Sequence, residues 1–175
     1  MNIVLRQENV NDYESVYNLI KLAFANEEYS DKDEHNLVTR LRSSKSFIPE
    51  LSIVAEVDGK VVGHILFTKI KIGSTNAMAL ALAPLAVLPE YQNHGIGGRL
   101  IEEGHRIGKE LGYEFCVVLG HDEYYSRYGF KKAKEYLIEA PFPVDDKNFM
   151  AVRLNDKLND FHGGMVEYAK EFNIN

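Results

Sequence analysis

At 175 residues, 45% hydrophobic and 26% charged, the chain has the makeup of an ordinary soluble globular protein, and its length predicts one domain over 1–175 with a sizeable core. The net charge of −6 and pI of about 5.5 leave no basic footprint for nucleic acid; by steering alone they favour cationic partners. One cysteine, Cys116, excludes an internal disulfide, no apolar run reaches the roughly 18 residues of a membrane span, and the N-terminus lacks a signal pattern, so the expectation is a cytoplasmic protein with no membrane partner.

In chain order, Asn2–Gln7 reads as a strand. Asn9, Asn11 and Asp12 offer caps to an amphipathic helix in which Val10, Tyr13, Tyr17, Ile20 and Phe24 recur at helical spacing, ending near Ala25. A polar stretch, 26–31, separates it from a second helix over about Asp33–Arg42, with Leu37, Val38 and Leu41 inward. Ser43–Ser46 is a loop that Pro49-Glu50 ends. Ser52–Val57 and Lys60–Ile72 are strands joined by Asp58-Gly59, a strong hairpin signal. Gly73–Asn76 turns the chain into an apolar strand, Met78–Leu88, which Pro89 stops because proline cannot donate to a ladder.

The glycine-rich stretch Gln92–Gly98 then opens a helix with Leu100, Ile101, Ile107 and Leu111 on one side and Gly112 as its C-terminal cap. Phe115–Leu119 is an all-apolar strand suited to a sheet interior, and Cys116 within it reads as core. Residues 120–130 form a short helix turning at Gly129; spacing puts Tyr124 and Tyr128 on one face and points Tyr125 elsewhere. Strands over about Phe130–Ala133 and Phe149–Leu154 follow, Ala140–Pro143 being too proline-rich for a central strand. An exposed edge at Phe149–Leu154 leaves room for a homodimer. Residues 155–175 carry little pattern.

Strand, short turn, glycine-rich loop and helix start make an anion site, because the first helical turn offers unpaired N–H groups and a partial positive charge. The dinucleotide fingerprint fails, since Leu100 stands where its third glycine belongs, and so does the Walker loop, since only three residues separate Gly104 from Gly108-Lys109 and Glu110 follows. What remains, Gln-x-x-Gly-x-Gly at Gln92, Gly95 and Gly97 directly after a strand, resembles the pyrophosphate loop of the GNAT superfamily of acetyl-CoA-dependent N-acetyltransferases. A second stretch agrees: Tyr125-Ser-Arg-Tyr-Gly129-Phe130 resembles the Tyr-x-x-x-Gly-Phe that follows the family's fifth strand. The element order β-α-α-β-β-β-α-β-α-β-β is also that of the family, and the resemblance spans most of the chain.

The resemblance implies an α/β GNAT fold: a mixed, mostly antiparallel twisted sheet of about six to seven strands, flanked by about four helices, with a splayed strand pair forming the acetyl-CoA slot. It implies that backbone N–H groups over Gln92, Asn93, His94, Gly95, Ile96, Gly97 and Gly98 cradle the pyrophosphate, with Arg99 adding charge, and that Leu85, Ala86 and Val87 pair main chain to main chain with the pantetheine arm. The oxyanion falls to a backbone N–H near Val87.

Tyr125 stands where the family places a general acid, and an ordinary tyrosine is protonated at neutral pH. The amine's proton needs an acceptor. Glu27 and Glu28, in the loop where family members build the acceptor pocket, are candidates, as is His121, histidine being the side-chain type suited to proton transfer near neutral pH. Packing or solvation is the competing reading of each.

The implied activity is direct acetyl transfer from acetyl-CoA to a primary amine of a small molecule or peptide, the acids at 27–34 tilting toward a cationic acceptor. Phe149-Met-Ala-Val-Arg-Leu154 resembles bacterial members whose acceptor is unassigned. A non-catalytic acyl-CoA sensor on the same fold is the alternative, and transfer of a longer acyl group a third reading. The six histidines form no His-x-x-x-His pair and none joins cysteine, so no metal site is expected.

Overall fold

The computed structural model describes residues 1–156 and 161–174. It resolves into two compact units, Met1–Phe67 with Ala83–Gly104, and Thr68–Leu82 with His105–Asn175.

The first unit begins with β1 (Ile3–Gln7), a 3-10 turn at Val10–Asp12 and α1 (Tyr13–Phe24). The turn is capped reciprocally: Asn11 N donates to Asn9 Oδ1 at 2.9 Å and Asn9 N to Asp12 Oδ2 at 2.8 Å. α1 buries Val16, Leu19 and Ile20, and α2 (Glu34–Leu41) buries Val38 and Leu41. β2 spans Phe47–Val57, starting earlier than Ser52, the start the sequence predicts. Pro49 lies beyond the ladder with β1, which begins at Gln7↔Ile53, so it costs that ladder no donor. β3 (Lys60–Ile72) returns through Asp58 and Gly59, both left-handed at φ 51° and 79°, the geometry of a two-residue hairpin.

Beneath α1 and α2 lies a buried polar knot. Arg42 grips Glu8 with Nε at 3.1 Å and Nη2 at 2.7 Å, and Ser52 Oγ reaches Glu8 Oε1 at 2.9 Å and His64 Nε2 at 3.0 Å. His64 is fully buried, and burial pushes its pKa down to about 4. A buried charge is tolerated when paired and hydrogen-bonded, as Glu8 is.

β4 (Ala79–Val87) enters this unit at Ala83, and α3 (Ile96–Glu110) starts here. α3 buries Ile96, Leu100 and Ile101. Gly104 continues that stripe: a Cβ there would sit 2.1 Å from Phe67 Cε2, so the helix approaches β3 only because the side chain is missing. Leu111, expected inward, is exposed, and the helix face near its end is formed by Gly108 against Leu80 in the second unit.

In the second unit β5 (Phe115–Leu119) is central. It pairs parallel with β4 over Ala79↔Phe115 to Ala81↔Val117 and antiparallel with β8 (Phe149–Arg153) over its whole length. β4 runs on past this short ladder to Val87, and Pro84 within that stretch has no N–H to give. β8 is bonded on its other side by β6 (Lys131–Lys132). Of the Phe149–Leu154 edge that left room for a homodimer, β6 thus covers Met150 and Ala151.

Two further strands escape the sequence reading. β7 (Ile138–Glu139) and β9 (Gly164–Glu167) pair with each other, and β9 also pairs with Lys71 and Ile72 at the end of β3. One sheet face carries Ile70, Ile72, Ala79, Ala81, Phe115, Val117, Phe149 and Ala151, against which Tyr136, Phe142, Phe161 and Tyr168 pack. Among the described residues the hydrogen-bonded strand order is β1-β2-β3-β4-β5-β8-β6, a mixed sheet of nine strands once β7 and β9 are included. Among the described residues no helix is long and apolar enough to cross a membrane.

Candidate active site

The loop after β4 is the first part of the site. A 3-10 turn at Pro89–Tyr91 ends the strand, and Gln92 resumes extended backbone. Asn93 and Gly95 are left-handed at φ 65° and 79°; asparagine and glycine tolerate that region best. Nothing lies within 4 Å of where a Cβ on Gly95 would stand, so that glycine answers to backbone conformation rather than crowding.

Gln92, Asn93, His94 and Gly95 are exposed, Gly97 is half-exposed, and Ile96 and Gly98 are buried. Arg99 N closes the first turn of α3 on Gly95 O at 3.1 Å, and its side chain is exposed. Gln92 Nε2 donates to Val87 O at 3.0 Å, tying the loop to the strand end. Leu85 and Val87 are half-buried and Ala86 is buried, as alternation along β4 requires.

The second unit holds the tyrosines, on α4 (Asp122–Tyr125) and the 3-10 turn Ser126–Tyr128 that ends in left-handed Gly129. Tyr124 faces Tyr128 at 5.5 Å between ring centres, and Arg127 lies over the Tyr124 ring at 4.8 Å. Tyr125 meets the Tyr124 ring edge-on at 5.0 Å, and its further contacts lie elsewhere, as its spacing predicts. Its ring packs on the backbone of Gly120, where a Cβ would come within 2.4 Å of it, and meets Phe130 edge-on at 5.6 Å.

Burial pushes the Tyr125 phenol well above its ordinary value, and that of Tyr124 up to about 12. Tyr125 therefore stays protonated throughout the neutral range. Cys116 is fully buried, and burial raises its thiol too, which leaves it inert as a nucleophile.

The three base candidates sit differently. His121 is exposed at the N-terminus of α4, its carbonyl accepting from Tyr124 N and Tyr125 N at 3.2 and 3.1 Å. Glu27 and Glu28 are exposed in the turn after α1, and the Glu27 carbonyl accepts from Lys32 Nζ. A residue not selected from the sequence stands out beside them. Glu34, in the first turn of α2, is half-buried; Oε2 accepts from Ser30 Oγ at 2.5 Å, while Oε1 is buried with no hydrogen-bond partner among the described residues. Asp33 is the N-cap residue of α2, and Asp31 Oδ1 accepts from Asp33 N at 3.0 Å.

Comparison with known proteins decides the family. Residues 49–132 match the model of the acetyltransferase (GNAT) domain. The N-acetyltransferase YhbS of Escherichia coli is 31% identical over 140 residues, 80% of this chain and 83% of YhbS. The chain belongs to the GNAT acetyltransferase family.

A second E. coli N-acetyltransferase, YjhQ, is 42% identical over 118 residues, 66% of this chain and 65% of YjhQ. The crystal structure of a GNAT acetyltransferase from Brucella melitensis in complex with acetyl-CoA is similar over 98% of both chains, at 33% identity and a TM-score of 0.81. That of YhbS in complex with CoA is similar over 99% of this chain and 93% of its own, at 30% identity and a TM-score of 0.88.

Proposed function

We infer that this GNAT protein transfers the acetyl group of acetyl-CoA directly to a primary amine of a small molecule or peptide. The observation that carries the reading is the loop at 92–98, where left-handed Asn93 and Gly95 deliver an exposed backbone to the start of α3, the arrangement an anion requires. The Brucella and E. coli relatives held with acetyl-CoA and CoA support it. On this reading the Gln92–Gly98 backbone holds the pyrophosphate and Leu85–Val87 aligns the pantetheine arm. The Val87 carbonyl already accepts from Gln92, so the arm shares that oxygen through its second lone pair.

In the reaction the amine nitrogen forms a bond to the thioester carbon, the C–S bond breaks, and the amine's proton must end on the sulfur. A thiol titrates near 8.5, well below the burial-raised Tyr125. Tyr125 therefore stabilises the departing thiolate as a hydrogen-bond donor and gives up its proton only as another arrives. Glu34, with one oxygen unpartnered among the described residues, joins Glu27, Glu28 and His121 as an acceptor for the amine's proton.

A thermal melt with and without acetyl-CoA tests the cofactor site. Ligand at about 100 times its Kd adds about 2.7 kcal/mol, which for this chain length is a rise of roughly 5–10 °C. No rise at millimolar acetyl-CoA would remove the reading. A rise without thiol release on any amine would leave a non-catalytic acyl-CoA sensor.

A further inference from the structure

β5 ends at Leu119, and the next residue, Gly120, is not among the left-handed glycines. Its φ is one that other residues adopt, so backbone conformation does not explain the glycine. Contact does. The three atoms nearest to where a Cβ would stand all belong to the Tyr125 ring: Cε2 at 2.4 Å, Cδ2 at 2.9 Å and Cζ at 3.5 Å. Cζ carries the hydroxyl and Cε2 adjoins it, so the contact with Gly120 governs where the phenol oxygen stands. Tyr124 and Phe130 meet the same ring edge-on at 5.0 and 5.6 Å, so it is packed by rings as well as by backbone.

The Gly120 main chain is in turn held by Asn148. Gly120 N donates to Asn148 O at 2.9 Å, and Asn148 Nδ2 donates to Gly120 O at 3.0 Å. Asn148 thus satisfies both main-chain polar groups of Gly120, one through its backbone and one through its side chain. The side chain has to donate, since Gly120 O can only accept. Asn148 is half-buried, its own N–H donates to Asp145 O at 2.9 Å, and the next residue, Phe149, pairs with Leu119. The clamp is therefore anchored at the end of the β5–β8 ladder.

We propose that Asn148 is a positioning residue for Tyr125: by fixing the Gly120 main chain, it sets where the phenol hydroxyl stands as the CoA thiolate departs. This inference rests on the acetyl-transfer reading for its purpose, though not for its geometry. A donor aimed at a developing charge contributes about 10²–10³-fold in rate, and it must be held to within about 0.5 Å. Removing the Asn148 amide leaves the main-chain half of the clamp in place. The phenol is then displaced rather than lost, and the expected cost is about tenfold.

Thiol release from acetyl-CoA, with phenethylamine and with cadaverine as acceptor probes, tests the clamp well below the melting temperature of each variant. Asn148→Ala is expected to lower kcat about tenfold with KM for acetyl-CoA unchanged. Asn148→Asp keeps the shape but cannot donate as a carboxylate, and is expected to lose at least as much. In a Tyr125→Phe background the same substitutions are expected to change kcat by less than about twofold, because residues that act as a unit are non-additive. Independently of turnover, the Tyr125 ring resonance in isotope-labelled protein, identified by its loss in Tyr125→Phe, is expected to shift in both Asn148 variants. The inference is overturned if both variants keep the wild-type kcat, if they cost as much without the Tyr125 hydroxyl as with it, or if the Tyr125 resonance does not move. No thiol release from the wild type with either amine would count against the acetyl-transfer reading alone. The resonance would then decide the clamp, so the two failures are distinct.

Discussion

Thr68 is fully buried in β3, and its hydroxyl has no hydrogen-bond partner among the described residues. An unsatisfied buried hydroxyl costs about 1–3 kcal/mol, and replacing it with an apolar group of the same shape removes that cost. Thr68→Val is thus expected to leave stability unchanged or raise it by about 1 kcal/mol in denaturant titrations; a loss of that size would show that the hydroxyl is satisfied. His64 supplies a pH dependence with a definite sign. Its folded pKa of about 4 lies below the ordinary 6.5, so between these values the unfolded chain binds the extra proton and stability falls as the pH is lowered. This contribution is complete above about pH 6.5, declines toward pH 4 and levels off beneath it, for a total of up to about 3 kcal/mol. Unfolding free energies at about pH 7 and about pH 4.5 should differ less in His64→Gln than in the wild type; equal differences would place the acid sensitivity elsewhere, with His105, likewise lowered to about 4 by burial, next in line. The orientation of Tyr125 was legible in the sequence because neighbours three and four apart share a helix face. Glu34 was not, since its distinguishing feature, one buried oxygen without a partner among the described residues, is a property of packing that no spacing rule encodes.

The elements show the same division. Periodicity and turn chemistry located β1, β3, β5 and the Asp58-Gly59 hairpin to within a residue, because alternation, apolar runs and left-handed turn residues are local properties. The short strands β7 and β9 are held by partners distant in sequence: β9 pairs with Lys71 and Ile72, and β7 with Gly164 and Met165. No local pattern announces such strands. What could have drawn the eye are the glycines. Gly163 is left-handed at φ 81°, and a Cβ there would lie 2.3 Å from the Leu137 carbonyl oxygen, a backbone atom with little freedom to move. Gly163→Ala combines strain and overlap, and is expected to cost about 2–4 kcal/mol. Gly104→Ala instead presses on the ring of fully buried Phe67, a clash the ring can partly relieve, so about 1–3 kcal/mol is expected. Chemical denaturation that ranks Gly104→Ala as the more damaging would mean that β9 is less firmly docked than its ladder implies.

For the molecule as a whole, ligand binding and folding are linked, and Gly97 allows the two to be separated. It lies in the first turn of α3 and is half-exposed, so a side chain there has somewhere to go. In the free protein a carboxylate at this place is favourable: it replaces the most flexible residue in a helix, and a negative charge at a helix N-terminus contributes about 0.3–1 kcal/mol. Toward a pyrophosphate the same carboxylate is doubly unfavourable, since it occupies space that the phosphate oxygens need and repels them at short range. Gly97→Glu is therefore expected to melt at or above the wild-type temperature without ligand, yet to lose the rise that acetyl-CoA produces. Gly97→Ala, with the same helix-propensity gain but only one added methyl group, is expected to keep more of that rise, and the remaining difference is the electrostatic share. Raising the salt concentration should narrow the gap between the two variants, because an exposed charge–charge term is screened within about 10 Å at 0.1 M, whereas a purely steric block is not. If Gly97→Glu keeps the full acetyl-CoA response, the first turn of α3 is not the phosphate site, and the loop at 92–98 is a helix start whose glycines serve only the turn.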